Sequence, residues 1–169
     1  MFLINQIIKE INACLKNGCY IAALTTALTL PDICGKVEYP NDGNSSRYKK
    51  WYSEWIGKYE KCPDDEDNMP YATAKLIYNL RCSLLHEGNA DVDLDKNDLM
   101  SFKLLITGSY MSGGIAIVHK DGSGKPIGRE IEIGIENLCF KLCRTAEVYY
   151  KENKDKFKFN YTIVNGVYF

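Results

Sequence analysis

The chain has 169 residues, 46% hydrophobic and 25% charged, which suits one globular domain built on a single core. Its formal net charge of −1 excludes a global field that would gather polyanions, so any nucleic-acid site has to be a local patch. No uninterrupted apolar run approaches the ~20 residues of a membrane span. Asn5, Gln6, Lys9 and Glu10 break the continuous apolar segment that a signal peptide needs, and the seven cysteines, an odd number, read as reduced thiols in a cytoplasm.

Residues 2–16 place Leu3, Ile7, Ile8, Ile11 and Leu15 at helical spacing, and Asn17-Gly18 ends that helix. Residues 19–34 are apolar nearly all round, which predicts a buried helix kinked or stopped at Pro31. Residues 35–45 collect Gly, Pro, Asn and Asp and read as a loop. A third helix is expected over 46–60, with Ser45 or Ser46 as N-cap and Tyr48, Tyr52, Trp55 and Tyr59 recurring at three and four residues. An acidic loop follows at 61–70, and a fourth helix at 71–87 is closed by Gly88.

Beyond Asn89 the pattern changes. Residues 102–107, 114–119 and 127–133 are short, β-branched and separated by glycine-rich turns, which predicts an antiparallel meander. Helical period returns over 135–153, and 157–169 reads as a terminal strand or tail around Asn165-Gly166. The sum is one mainly α domain over 1–169: a bundle of about five helices, with a β insertion near 102–133 placed before the last long helix. Ile7, Ile11, Ala23, Leu24, Ala27, Leu28, Ile77, Leu84, Leu138 and Leu142 are the expected core.

Several motifs fail on inspection. Asp121 to Gly128 contains Gly124-Lys125, but a phosphate loop needs glycine where His119 stands and Ser or Thr where Pro126 stands, so the stretch reads as a hairpin turn. Asp91, Asp93 and Asp95 imitate a calcium loop that Lys96 and Phe102 do not complete. The pairs Cys14/Cys19 and Cys139/Cys143 lack zinc spacing and neighbouring histidines, and read as core thiols. No metal and no cofactor is expected.

Two features remain. The third helix mixes Arg47, Lys49, Lys50 and Lys58 with aromatic residues, a combination suited to single-stranded nucleic acid, although the spacing alone explains the aromatics as core. On the fourth helix Arg81 falls within an apolar stripe of Ala74, Ile77, Tyr78, Leu84 and Leu85. A charge on a packing face is costly unless paired, and Glu54 or Glu147 is a candidate partner. His86 follows five residues later. An ideal helix sets the two about 140° apart. Fraying at Glu87-Gly88, or a second copy of the helix across a two-fold axis, would bring them to one cleft.

Arg81-Cys82-Ser83-Leu84-Leu85-His86 resembles the R-x4-6-H signature of HEPN domains, helical bundles of toxin–antitoxin, phage-defence and CRISPR-associated proteins. The resemblance covers the helical order of 2–87 and 135–153, and the β insertion adds to the simplest members. Many active members carry a polar residue after the arginine, where this chain has Cys82. The resemblance implies a homodimer through the 71–87 helix and a metal-independent endoribonuclease, with Arg81 and His86 catalytic in the dimer cleft; Ser83 and, from the third helix, Lys49 and Lys50 are the candidate substrate-binding residues. The alternative is a non-catalytic module of the same fold, antitoxin-like or a defence-system subunit, that binds a protein partner; no membrane is involved in either.

Overall fold

The computed structural model describes residues 3–60, 72–90, 92, 99–111 and 113–158. The acidic loop at 61–70, the aspartates at 91, 93 and 95, and the tail from 159 lie outside the described residues.

Helix α1 (Leu3–Lys16) turns Ile4, Ile11 and Leu15 inward, and Gly18 closes it in the left-handed conformation at φ 72°. The apolar segment expected as one helix over 19–34 is two, α2 (Tyr20–Ala27) and α3 (Leu30–Glu38). Pro31 starts the second helix where it was expected to end the first, because a proline in the first turn lacks only an N–H that has no partner there. Thr26 and Thr29 loosen the junction: their hydroxyls donate to the carbonyls of Ala22 (2.8 Å) and Thr26 (2.7 Å). Helix α3 then runs through the expected loop to Glu38. It can do so because Gly35 faces α4, where a Cβ would meet the Arg47 carbonyl oxygen at 2.7 Å.

Helix α4 (Asn44–Trp55) starts after Gly43 at the N-cap position, not after Ser45 or Ser46; the Ser46 hydroxyl bonds the Asp42 carboxylate instead. Tyr48, Trp51 and Tyr52 are buried, so the aromatic stripe belongs to the core, while Tyr59 lies in a separate 3₁₀ turn and is exposed. Helix α5 (Ala74–Cys82) is capped by Thr73, whose hydroxyl accepts the Leu76 N–H at 3.1 Å. Its inward residues are Leu76, Ile77 and Leu80, a stripe rotated from the expected one; Leu85 is exposed and Leu84 half-buried.

Strands β1 (Leu99–Leu105), β2 (Gly114–Lys120) and β3 (Pro126–Gly134) form a mixed sheet in the order β1-β3-β2. The meander is therefore half right. β2 and β3 are an antiparallel hairpin, closed by Asp121, whose carboxylate accepts the N–H groups of Ser123 and Lys125; β1 instead runs parallel to β3 on its far side. β3 takes the centre because its alternate residues Ile131 and Ile133 are sealed against the helices and its end leads directly into helix α6 (Ile135–Glu152). Glu136 in the first turn of α6 clamps the chain leaving β1, accepting the N–H groups of Thr107 (3.2 Å) and Gly108 (2.8 Å). Helix α6 packs on α1, α2 and α3 and buries Leu138, Leu142, Ala146 and Tyr149. Of the ten residues expected in the core, only Ile7 and Leu84 are half-buried; the others are buried. No described helix is long and apolar enough to cross a membrane.

Candidate functional site

After Cys82 the helix does not fray. Residues Ser83–Glu87 form a π-helical turn, in which the Gly88 N–H donates to the Ser83 carbonyl five residues back, and Gly88 ends the helix at φ 69°. Bonding from i to i+5 widens the turn and narrows the angle between residues five apart. The 140° separation of an ideal helix is reduced. Within one chain, Nη1 of Arg81 donates to Nε2 of His86 at 3.1 Å. Since a guanidinium has only donors, this hydrogen bond requires Nε2 as its acceptor, the tautomer that carries its proton on Nδ1. π-Helical turns inserted in α-helices recur at functional sites.

The other side of Arg81 is held by Asp32 of α3. Both Nε (3.0 Å) and Nη2 (2.9 Å) donate to its Oδ2. The arginine side chain keeps 19% of its exposure and the aspartate 17%, so the pair lies at the rim of the core, open on one side. Burial pulls the Arg81 pKa down, but the charge of Asp32, followed by the neighbouring Cys82 and the hydrogen bonds to Asp32, outweighs it and holds the guanidinium more firmly protonated. The carboxylate expected for Arg81 was Glu54 or Glu147. Glu54 instead accepts from the Tyr39 hydroxyl, and Glu147 pairs with Arg144 and Lys151. Asp32 had a legible signal: it is the one charged residue in the apolar stretch 19–34, as Arg81 is in its own stripe.

Tyr48 is fully buried close enough to Asp32 and Arg81 to feel both charges. Its hydroxyl has no hydrogen-bond partner among the described residues. Tyr78, one turn before Arg81, packs edge-on against Tyr48 with ring centroids 5.3 Å apart.

The remaining candidates are distributed unevenly. Ser83 is buried at the start of the π turn. Lys49 lies over the Tyr78 ring at 5.5 Å and so borders the site from α4. Lys50 turns the other way, pairing with Asp42 at 2.7 Å and lying over Tyr39. Both lysines line a shallow open groove with Tyr39, Ser53 and Glu54. The Tyr39 hydroxyl is pushed up to about 12 by burial and by its bond to Glu54. Cys139 and Cys143 are likewise pushed up to about 12 by burial, consistent with core thiols. Among the described residues no three His, Cys, Asp or Glu side chains gather to hold a metal.

The arrangement is thus a guanidinium oriented by a carboxylate on one side and hydrogen-bonded to an exposed imidazole on the other. Compared with known protein families, with curated proteins and with solved structures, the chain matches none of them.

Proposed function

We propose that the chain is an RNA-cleaving or RNA-binding protein of HEPN-like type, with Arg81 and His86 as its reactive pair. The single observation that carries this reading is the 3.1 Å contact between Nη1 of Arg81 and Nε2 of His86, created by the π turn. A phosphate seated on the open donors of Arg81 would lie beside the imidazole. With its bond from Arg81 exchanged for the substrate, Nε2 of His86 would take the proton of the ribose 2′-OH as that oxygen attacks phosphorus; the bond to the 5′-oxygen would break, and that oxygen would take a proton from solvent. Arg81 would stabilise the charge that builds on the phosphoryl oxygens, with Asp32 fixing its orientation and Lys49 next in line along the backbone. The products would be a 2′,3′-cyclic phosphate and a 5′-OH, with no metal in the reaction.

Incubation of the purified protein with RNA in EDTA tests this. Cleavage to cyclic-phosphate ends, abolished by His86→Ala and by Arg81→Ala, is the expected result. An inert protein, or cleavage that persists in His86→Ala, overturns catalysis. On this reading one protomer supplies both groups, which meet within one chain. A homodimer through the 71–87 helix would add a second pair to the same cleft, and exposed Leu85 would carry the contact. One observation favours a non-catalytic module: Asp32 already neutralises the arginine. RNA binding without cleavage, or a stable complex with a protein in a preparation inert towards RNA, would mark that outcome.

A further inference from the structure

Most of the exposed large hydrophobic side chains gather on the sheet and its borders: Ile106, Tyr110, Met111, Ile115, Ile117, Ile127 and Phe140. The two edges of the sheet differ. β1 shows Ser101 and Lys103 on its outer face, each tied to a glutamate of β3, at 3.1 Å in both cases. β2 shows Ile115 and Ile117, 55% and 50% exposed, and among the described residues no strand pairs with its other side. Sheet edges are ordinarily protected by charge, proline or a bulge. From Gly114 to Val118 the edge of β2 has none of these, and its only irregularity lies at His119/Lys120.

The hydrogen-bond phase can be read from the hairpin. The Gly134 N–H donates to the Gly113 carbonyl at 3.2 Å, and Gly114 faces Ile133. Odd residues of β2 therefore bond β3, while Gly114, Ala116 and Val118 direct their N–H and C=O groups at the open edge. That row is self-complementary about a two-fold axis through Ala116. Antiparallel pairing of two copies bonds Ala116 to Ala116 and Gly114 to Val118. It sets Ile115 of each copy against Ile117 of the other in the close, non-hydrogen-bonded register. The charges agree. Glu132 of β3 already pairs with Lys103, Glu130 is hydrogen-bonded by His119 (2.9 Å) and Ser101, and the two Lys120 residues fall at opposite ends of the ribbon.

We infer that β2 is a homotypic interface, through which two copies of this chain join their sheets edge to edge into one six-stranded sheet. This is independent of the reading of Arg81 and His86. Sedimentation from 1 to about 300 μM, with amide exchange by NMR, tests it. A concentration-dependent dimer is expected, in which the amides of Gly114, Ala116 and Val118 are protected only in the dimer. Ile117→Lys should abolish dimer and protection together, with its thermal transition matching that of the monomeric parent at low concentration. Ala116→Pro should do the same, since it removes only an outward N–H. A monomer throughout overturns the inference, as does a dimer indifferent to both variants or one broken by Leu85→Glu instead. Protection of these amides in a monomer would show that another segment occupies the edge, and would also overturn it.

Discussion

Asp32→Ala removes the carboxylate on which Arg81 rests. Truncating one member of a fully buried pair costs about 3–5 kcal/mol, whereas an exposed pair is worth about 0–1 kcal/mol. The two side chains keep 19% and 17% of their exposure, so this pair lies nearer the buried limit, with one open side through which water relieves the orphaned charge. The expected loss is about 2–3 kcal/mol, or about 5–10 °C in Tm for a domain of this size. Urea unfolding followed by circular dichroism measures it. A double-mutant cycle with Arg81→Met separates the pair from general loss of packing. Met fills the space without a charge, so the coupling should be about 2 kcal/mol, and the double variant Asp32→Ala/Arg81→Met should lose less than the sum of the single losses by that amount. A coupling below about 0.5 kcal/mol would refute the reasoning: Asp32 would then not anchor the arginine, and the orientation of Arg81 towards His86 would need another cause.

Gly35→Ala should destabilise by about 1–3 kcal/mol, because the new methyl meets the backbone of α4 at 2.7 Å and a backbone cannot rotate away; chemical denaturation would show it. Leu138→Ala should cost about 2–5 kcal/mol, and half-buried Leu84→Ala clearly less, about 1–2, a ranking that paired urea titrations would establish. The Glu38 carboxyl is held below its ordinary value by the Tyr149 hydroxyl (2.6 Å) and then by Lys156 (2.9 Å). A depressed folded-state pKa stabilises above the unfolded value of about 4.3, and that contribution is lost as pH falls through the folded value. Glu38→Gln should therefore shrink the stability lost between pH 6 and pH 2, as thermal melts across that range would reveal.

The helices were legible wherever one apolar period runs unbroken. α1 and α6 depend on local spacing, and a helix amphipathic over three or more turns has one way to bury its stripe. The segment 19–34 was misread because it is apolar all round, and such a helix carries no phase from which to locate a break. The threonine hydroxyls and Pro31 decide the break at the junction between α2 and α3. At the candidate site, Arg81 and His86 stood out as a charge and an imidazole on an apolar helix. Their five-residue spacing argued against a meeting only while the helix was taken as ideal.

The strand segments, the helical class, the aromatic core stripe and the two chemically conspicuous residues were determined by the sequence, because each depends on residues within a few positions of one another. Tertiary structure decided the rest. The parallel seating of β1 beside β3 joins residues 29 or more positions apart, and Asp32 meets Arg81 across 49. Such pairings are chosen by which surfaces remain to be covered once the helices pack, and local periodicity carries no record of that choice. The π turn lies between the two levels. Its bonds are local, but it places Ser83 inside, His86 outside and Arg81 on Asp32 at once, an arrangement an unbroken α-helix would not reach.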